Sequence, residues 1–166
     1  MNFPDSADDD PKRANRRPLL FFVLVTSAVG AAASVFTEPN IAGWYAGLVH
    51  PSFAPPNWVF APVWTTLYIV MAVAASRVWR VAGTKSFEIF AYALQLIFNF
   101  AWSAIFFAAH QIGFALIEIC ILLALILSTT ILFWRRDRLA GWLFLPYLAW
   151  TSFATTLNYA FWSLNP

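Results

Sequence analysis

The sequence predicts an all-α membrane protein, a five-transmembrane-helix bundle with a long folded loop between helices 1 and 2. Hydrophobic residues make up 61% of the 166 residues, charged residues only 11%, and the mean hydropathy is +0.67. A soluble domain of this length has too much surface to be covered by so few charges. The composition therefore predicts a lipid bilayer as the environment. The net charge of +2 gives no indication of a nucleic-acid partner.

The apolar residues fall into five stretches, at residues 18–36, 61–79, 87–109, 113–134 and 139–162. At about 1.5 Å per residue, even the shortest stretch reaches roughly 28 Å, which is enough to cross the hydrocarbon core of a bilayer. The last three connections are short, so neighbouring helices are expected to pack antiparallel. We therefore predict one transmembrane domain, residues 18–166, after a charged N-terminal tail at residues 1–17.

The basic residues predict the orientation of this domain. Every one of them precedes span 1 or lies at the 2–3 or 4–5 connection, and with five spans these three segments share one face of the membrane. The positive-inside rule then predicts a multi-pass protein with its N-terminus inside and its C-terminus outside. The residues are Lys12, Arg13, Arg16, Arg17, Arg77, Arg80, Lys85, Arg135, Arg136 and Arg138.

An alternative interpretation concerns the first span. Basic residues 12–17, an apolar run at 19–29 and the alanines at 31–33 also resemble a secretory signal with a small-residue cleavage site. Cleavage would leave a chain beginning at Ser34 with four spans. Mass spectrometry of the mature N-terminus distinguishes the two interpretations.

The connection between spans 1 and 2, residues 37–60, is the longest and is rich in both aromatic residues and proline. Prolines stiffen such a segment and disfavour regular helix. Its aromatic rings either anchor the loop among the lipid headgroups or form a folded lid over an opening between helices. The rings are Trp44, Tyr45, Phe53, Trp58 and Phe60, and the prolines are Pro39, Pro51, Pro55 and Pro56.

Polar side chains inside the spans recur at helical spacing. Gln95, Asn99, Trp102 and Phe106 share one face of span 3, because they lie 4, 7 and 11 residues along. These groups either join neighbouring helices by hydrogen bonds or line an interior suited to a flat, largely apolar ligand. Spans 2 and 5 add a similar set, Trp64, Thr65 and Tyr68 with Tyr147, Trp150, Thr151, Ala154 and Asn158.

Other residues carry weaker signals. Pro146 inside span 5 is expected to kink that helix. Glu118 in span 4 is interpreted as a structural residue that reaches the membrane interface. His50 and His110 are far apart in sequence and Cys120 is alone, so no metal site is predicted. Small residues such as those at positions 30 and 34 allow close helix approach, which is compatible with a homodimer.

Several motifs, taken in order, resemble the translocator protein family (TspO/MBR, the tryptophan-rich sensory proteins). They run Trp44-Tyr45-Ala46-Gly47-Leu48, then Pro55-Pro56-Asn57-Trp58, then Pro62-Val63-Trp64, then Gln95, Asn99 and Trp102, then Pro146-Tyr147-Leu148-Ala149-Trp150 and Leu157-Asn158-Tyr159. The resemblance extends over about residues 19–163. It implies a five-helix bundle whose first loop closes over a pocket.

The same resemblance implies a function. Members of the family bind tetrapyrroles such as protoporphyrin or haem, sterols in some lineages, and synthetic benzodiazepine-type ligands. It implies a receptor or sensor, with transport as a further role, and no required cofactor. The implied ligand-binding residues are Trp44, Tyr45, Trp64, Gln95, Asn99, Tyr147, Trp150 and Ala154, and the pattern within the spans adds Tyr68 and Trp102.

An enzymatic alternative is light-driven porphyrin breakdown, for which the resemblance would implicate Trp64 and Trp150. A packing scaffold without a ligand is the third hypothesis. The chain departs from the family pattern at His50, where lysine is common, and at Phe53, where tryptophan is usual. No basic residue follows Leu157 and Tyr159, so the sterol-binding motif is incomplete and sterol is a weaker candidate ligand.

Overall fold

The computed structural model describes residues 11–83 and 85–166, with side chains described from Arg17 onward. Residues 1–10 of the predicted tail lie outside the described residues. Within the described ranges all regular structure is helical, which confirms the predicted all-α class. The helices are α1 (Pro11–Ile41), α2 (Phe60–Ala82), α3 (Phe87–Ser103), α4 (Ile112–Arg136) and α5 (Arg138–Leu164), with short 3-10 turns at Tyr45–Gly47 and Asn57–Val59 and a π-helical turn at Ala104–Ala108.

Helix α1 is longer than the predicted span at both ends. It begins at Pro11, and it continues through Pro39 to Ile41, so the loop that follows is shorter than residues 37–60. Pro39 was expected to disfavour helix. It lies in the last turns, where the hydroxyl of Thr37 and the amide of Asn40 donate hydrogen bonds to helix carbonyls at 3.1 and 2.9 Å.

Four helical segments are long and apolar enough to cross a membrane: Arg17–Ile41, Asn57–Ala82, Phe87–Ala108 and Ile112–Arg136. The chain is therefore a multi-pass integral membrane protein, as its composition predicts. The fifth helix, α5, has 27 residues and so is equally long, but its aromatic and hydroxyl side chains make it less apolar.

Helices α4 and α5 lie antiparallel along their whole lengths. At one end Gly113 faces the indole of Trp162, and at the other an added Cβ on Gly141 would lie 2.8 Å from the Cα of Trp134. This close approach needs a residue without a side chain at position 141. A single residue, Asp137, joins the two helices, and its carboxylate caps α5 by accepting hydrogen bonds from the N–H groups of residues 139 and 140 at 2.9 and 3.2 Å.

Ion pairs between described side chains tie the helices together at the basic end of the bundle. The guanidinium of Arg136 at the end of α4 lies 2.5 Å from the carboxylate of Glu88 at the start of α3. Arg77 in the last turns of α2 lies 2.8 Å from Asp137. These pairs join the short connections on the face that carries the positive charges.

The hydrophobic core fills the half of the bundle nearest these ion pairs. Tyr92, Phe133 and Phe144 form a group of aromatic rings with centroids 4.9 to 6.1 Å apart. Met71 from α2 and Ile126 from α4 pack in the same cluster and are fully buried. The other half of the bundle, under the first loop, is where the packing opens into a cavity.

Glu118, near the start of α4, is buried within the bundle. Its side chain is 7% exposed, and neither carboxylate oxygen has a hydrogen-bond partner. The side chain therefore faces the interior of the bundle and not the lipid.

Candidate functional site

A cavity of about 290 Å³ lies between the five helices, beneath the first loop. All five helices contribute to its wall, and aromatic rings and small residues predominate among the lining side chains. The lining residues are Gly30, Ala33, Ser34, Thr37, Glu38 and Ile41 of α1, Tyr45 and Asn57 of the loop, Phe60, Ala61, Trp64 and Tyr68 of α2, Asn99, Trp102, Ser103, Phe106 and Phe107 of α3 and its π-turn, Ile119 and Leu122 of α4, and Trp150, Thr151, Ala154, Leu157, Asn158 and Phe161 of α5.

The loop covers the cavity through its aromatic side chains. Tyr45 is 6% exposed and packs against Phe107 and Phe161, with ring centroids 5.8 and 5.3 Å away. Farther along, Phe53 contacts Phe153 of α5 at a centroid distance of 6.3 Å. Of the two alternatives for this loop, the folded lid agrees with these contacts. Burial raises the pKa of the Tyr45 hydroxyl, so this group is a neutral hydrogen-bond donor at physiological pH.

Polar contacts hold the loop at two further points. The amide side chain of Asn165 accepts a hydrogen bond from the backbone N–H of Val49 at 2.8 Å and donates to the carbonyl of Val49 at 3.1 Å. At the start of the loop the ring of Trp44 stacks on His110, with centroids 4.3 Å apart. The Nε2 atom of His110 lies 3.0 Å from Oδ1 of Asn40, which joins the α3–α4 connection to the end of α1.

A chain of hydrogen bonds crosses the floor of the cavity. The hydroxyl of Tyr68 donates to Oδ1 of Asn99 at 2.9 Å, and Nδ2 of Asn99 donates to the hydroxyl of Tyr147 at 3.0 Å. That hydroxyl donates in turn to Oε1 of Gln95 at 3.0 Å. The chain joins α2, α3 and α5, so it fixes both the helices and the orientation of the Asn99 amide at the cavity surface.

A second polar contact orients the largest ring of α3. Nε1 of Trp102 donates to Oδ1 of Asn158 at 2.9 Å, and Nδ2 of Asn158 donates to the carbonyl of Ile112 at 3.1 Å. Asn158 therefore binds α3 and the start of α4 to α5. The sequence left open whether such amides join helices or line a binding site, and Asn99 and Asn158 do both.

Seven of the ten predicted binding residues line the cavity, and three do not. Tyr45, Trp64, Tyr68, Asn99, Trp102, Trp150 and Ala154 are in its wall. Gln95 and Tyr147 are fully buried and support the wall through the hydrogen-bond chain. Trp44 lies outside the lining, because its ring packs on His110 and Phe106.

Two polar groups in the wall have no hydrogen-bond partner. They are Nε1 of Trp150 and Oγ1 of Thr151, on consecutive residues of α5, and both atoms are buried from solvent. Thr151 is only 1% exposed. Since unsatisfied buried polar groups are costly, the indole N–H and the hydroxyl are candidates for a contact with a polar atom of a ligand.

The sequence did not indicate the contributions of α1 and α4. Gly30, Ala33 and Ser34 are small residues typical of any membrane helix, and Ile119 and Leu122 resemble ordinary packing residues. The sequence indicated only a close helix approach at positions 30 and 34, and the structure shows one at Gly30, where an added Cβ would lie 2.3 Å from the ring of Tyr68. Among the described residues, no group of three His, Cys, Asp or Glu side chains could hold a metal ion.

Comparison with known proteins identifies relatives over nearly all of this architecture. The family profile described as the TspO/MBR family matches residues 22–163. The translocator protein of Homo sapiens is 39% identical over 152 residues, covering 89% of this chain and 90% of that protein. The protein CrtK of Rhodobacter capsulatus is 35% identical over 150 residues (89% and 91%), and the tryptophan-rich sensory protein of Cereibacter sphaeroides is 37% identical over 144 residues (87% and 90%). The chain described here belongs to the TspO/MBR family.

Proposed function

We propose that this protein is a membrane receptor that binds a flat, largely apolar ligand of the tetrapyrrole class, such as protoporphyrin or haem, in the cavity beneath the first loop. The observation that carries the proposal is a cavity walled by aromatic rings in which Trp150 and Thr151 have polar atoms without partners. Ring stacking supplies binding energy for a flat ligand, and a few polar groups fix its orientation.

The size of the cavity bears on how such a ligand would bind. At about 290 Å³ it is at the lower end of the range of roughly 300–1,000 Å³ for drug-sized ligands. A tetrapyrrole macrocycle is larger than this space, so one edge enters and the rest extends through the open side. The exposed lining residues Glu38, Asn57 and Ala61 mark that side, between the end of α1 and the start of α2.

The relatives' names are consistent with reversible binding. One is named a translocator protein and another a tryptophan-rich sensory protein. A sensor and a translocator both need a site that takes up a ligand and releases it. We propose binding as the primary activity, with signalling or passage across the membrane as its use.

Titration of the purified protein in a non-ionic detergent with protoporphyrin IX tests this function. Saturable quenching of tryptophan fluorescence at micromolar porphyrin is expected, because several of the tryptophans line the cavity. Quenching that rises linearly without saturation would show partition into detergent only and would contradict the proposal.

Two conservative substitutions test the polar contact. Trp150→Phe removes the indole N–H, and Thr151→Val removes the hydroxyl with little change in shape. Each should weaken porphyrin binding about two- to tenfold, the loss expected for one hydrogen bond, as measured by the shift of the porphyrin absorption band. Trp142→Phe is the matched control on the same helix, since Trp142 is 59% exposed and lies outside the cavity. An equal effect of all three substitutions would contradict the assignment.

A second candidate, light-driven porphyrin breakdown, is favoured by one observation: Trp64 and Trp150 both line the cavity. Breakdown needs an oxidant, so the complex is illuminated in air and under argon while the porphyrin absorption is followed. Loss in air that exceeds that of free porphyrin in detergent, and that falls in Trp64→Phe and Trp150→Phe, would support an enzyme. Equal loss with and without protein would leave binding as the function.

A further inference from the structure

The opening of the cavity carries one ionisable acid and no base. Glu38, in the last turns of α1, is in the cavity wall and is exposed to solvent. The other polar residues of the wall at this end are uncharged: Ser34, Thr37, Asn57 and the neutral phenol of Tyr45. Among the described residues that line the cavity, Glu38 is the only one that contributes a full charge.

The basic residues cannot compensate for this charge. The sequence has no Lys or Arg between Arg17 and Arg77, none between Lys85 and Arg135, and none after Arg138. Each of these five residues lies at the end of the bundle opposite the loop, at the start of α1 or α5, at the end of α2 or α4, or in the α2–α3 connection. Measured along the helices, that end is about 24 Å or more away, well beyond the roughly 8 Å over which charges act through physiological salt.

The backbone adds little net field at the opening. The C-terminal end of α1, at Ile41, and the N-terminal end of α2, at Phe60, both border the cavity, and their partial charges have opposite signs. The two histidines of this face, His50 and His110, lie outside the cavity wall. The local charge at the opening is therefore that of the Glu38 carboxylate.

We infer that the cavity selects among tetrapyrroles by the charge of the edge at the opening, and that Glu38 is the residue that makes the selection. The inference rests on the proposed function. A macrocycle whose one edge fills the cavity has its remaining substituents at the opening. Free carboxylates there are repelled by Glu38, whereas esterified or uncharged substituents are not. Among tetrapyrroles, the affinity should thus fall as the number of free carboxylates at the opening rises.

The test compares protoporphyrin IX with its dimethyl ester in the intact protein and in Glu38→Gln. The ester also partitions more strongly into detergent, so the measured quantity is the ratio of the two dissociation constants, acid over ester, and its change on mutation. Partition affects both proteins equally and cancels in that comparison. Glu38→Gln should lower the ratio about threefold to tenfold, the effect expected for one like-charge pair a few ångströms apart near a solvent-exposed opening.

Two further variants complete the experiment. Glu38→Lys should lower the ratio beyond the value for Glu38→Gln, because attraction replaces repulsion. Gln111→Glu adds a carboxylate on the same face of the membrane but outside the cavity wall, and it should leave the ratio unchanged. Raising the salt concentration should lower the ratio in the wild type and not in Glu38→Gln.

The outcomes separate this inference from the proposed function. If both porphyrins bind saturably but the ratio is the same in wild type, Glu38→Gln and Glu38→Lys, the selection by charge is wrong and the binding function stands. If Gln111→Glu changes the ratio as much as the Glu38 variants do, general surface charge is responsible and the role of Glu38 is wrong. If neither porphyrin binds saturably to any variant, both proposals are overturned.

Discussion

At the scale of single residues, the hydroxyl of Tyr147 is the junction of the buried polar network. It accepts a hydrogen bond from Asn99 and donates one to Gln95, and Asn99 accepts another from Tyr68. The side chain of Tyr147 is fully buried, so water cannot replace these bonds. The network joins three helices, and two of its three hydrogen bonds involve this one oxygen atom.

Tyr147→Phe should destabilise the protein without changing the volume of the cavity, because Tyr147 is not a lining residue. The substitution leaves Nδ2 of Asn99 without its acceptor and Oε1 of Gln95 without its donor, and an unsatisfied buried group costs about 1–3 kcal/mol. The measurement is thermal unfolding in detergent, followed by circular dichroism. Tyr159→Phe is the control, because Tyr159 is 56% exposed. Equal melting temperatures for the two variants would contradict the role given to the network.

At the scale of elements, the loop is attached to the end of α5 by one side chain. Asn165 makes both hydrogen bonds to the backbone of Val49 and also donates to the carbonyl of Phe161 at 2.9 Å. The remaining contacts between loop and helices are made by aromatic rings. Loss of the Asn165 hydrogen bonds should make the middle of the loop more mobile. The aromatic contacts should still hold the loop over the cavity.

Asn165→Ala should therefore increase the rates of ligand binding and release while the equilibrium affinity changes less. Stopped-flow quenching of tryptophan fluorescence by porphyrin measures both rates. Ser163→Ala is the matched control, since the Ser163 hydroxyl donates only to the carbonyl of Ala160 in its own helix. Unchanged rates in Asn165→Ala would show that the loop does not limit access to the cavity.

The element scale also shows how far the sequence predicts this structure. Five helices follow from hydrophobic length and the placement of charge, and the face shared by Asn99, Trp102 and Phe106 follows from helical spacing. The π-turn at Ala104–Ala108 was not predicted, because no Gly or Pro marks it. The C-terminal end of α1 was missed for the opposite reason: Pro39 suggested a loop, but the helix continues through it to Ile41.

The candidate site, too, was predicted from the sequence only in part. Aromatic and amide residues inside apolar spans are conspicuous in the sequence, so Trp64, Tyr68 and Trp150 were predicted, and all three line the cavity. Glu38 was missed because it fell in a segment expected to be loop. The distinction between a residue in the wall and one behind it, as for Asn99 and Gln95, depends on side-chain packing that spacing alone does not specify.

At the scale of the whole molecule, charge placement predicts that the loop face is outside and the basic face inside. In a Cys120→Ser background, a membrane-impermeant maleimide should label Ser163→Cys from outside intact cells. Lys85→Cys should react only after the membrane is opened. Cys120 is exposed and is removed so that it does not contribute label. The reverse pattern of labelling would contradict the predicted orientation.

The central claim is that the cavity under the loop is where the ligand binds, and filling it tests that claim most directly. Ala154→Trp places a bulky ring in the cavity wall, whereas Ala149→Trp places the same ring on the exposed side of the same helix. Protoporphyrin IX titrated into both variants should give saturable binding with Ala149→Trp and none with Ala154→Trp, at equal helix content. Undiminished binding to Ala154→Trp would place the ligand elsewhere and contradict the account.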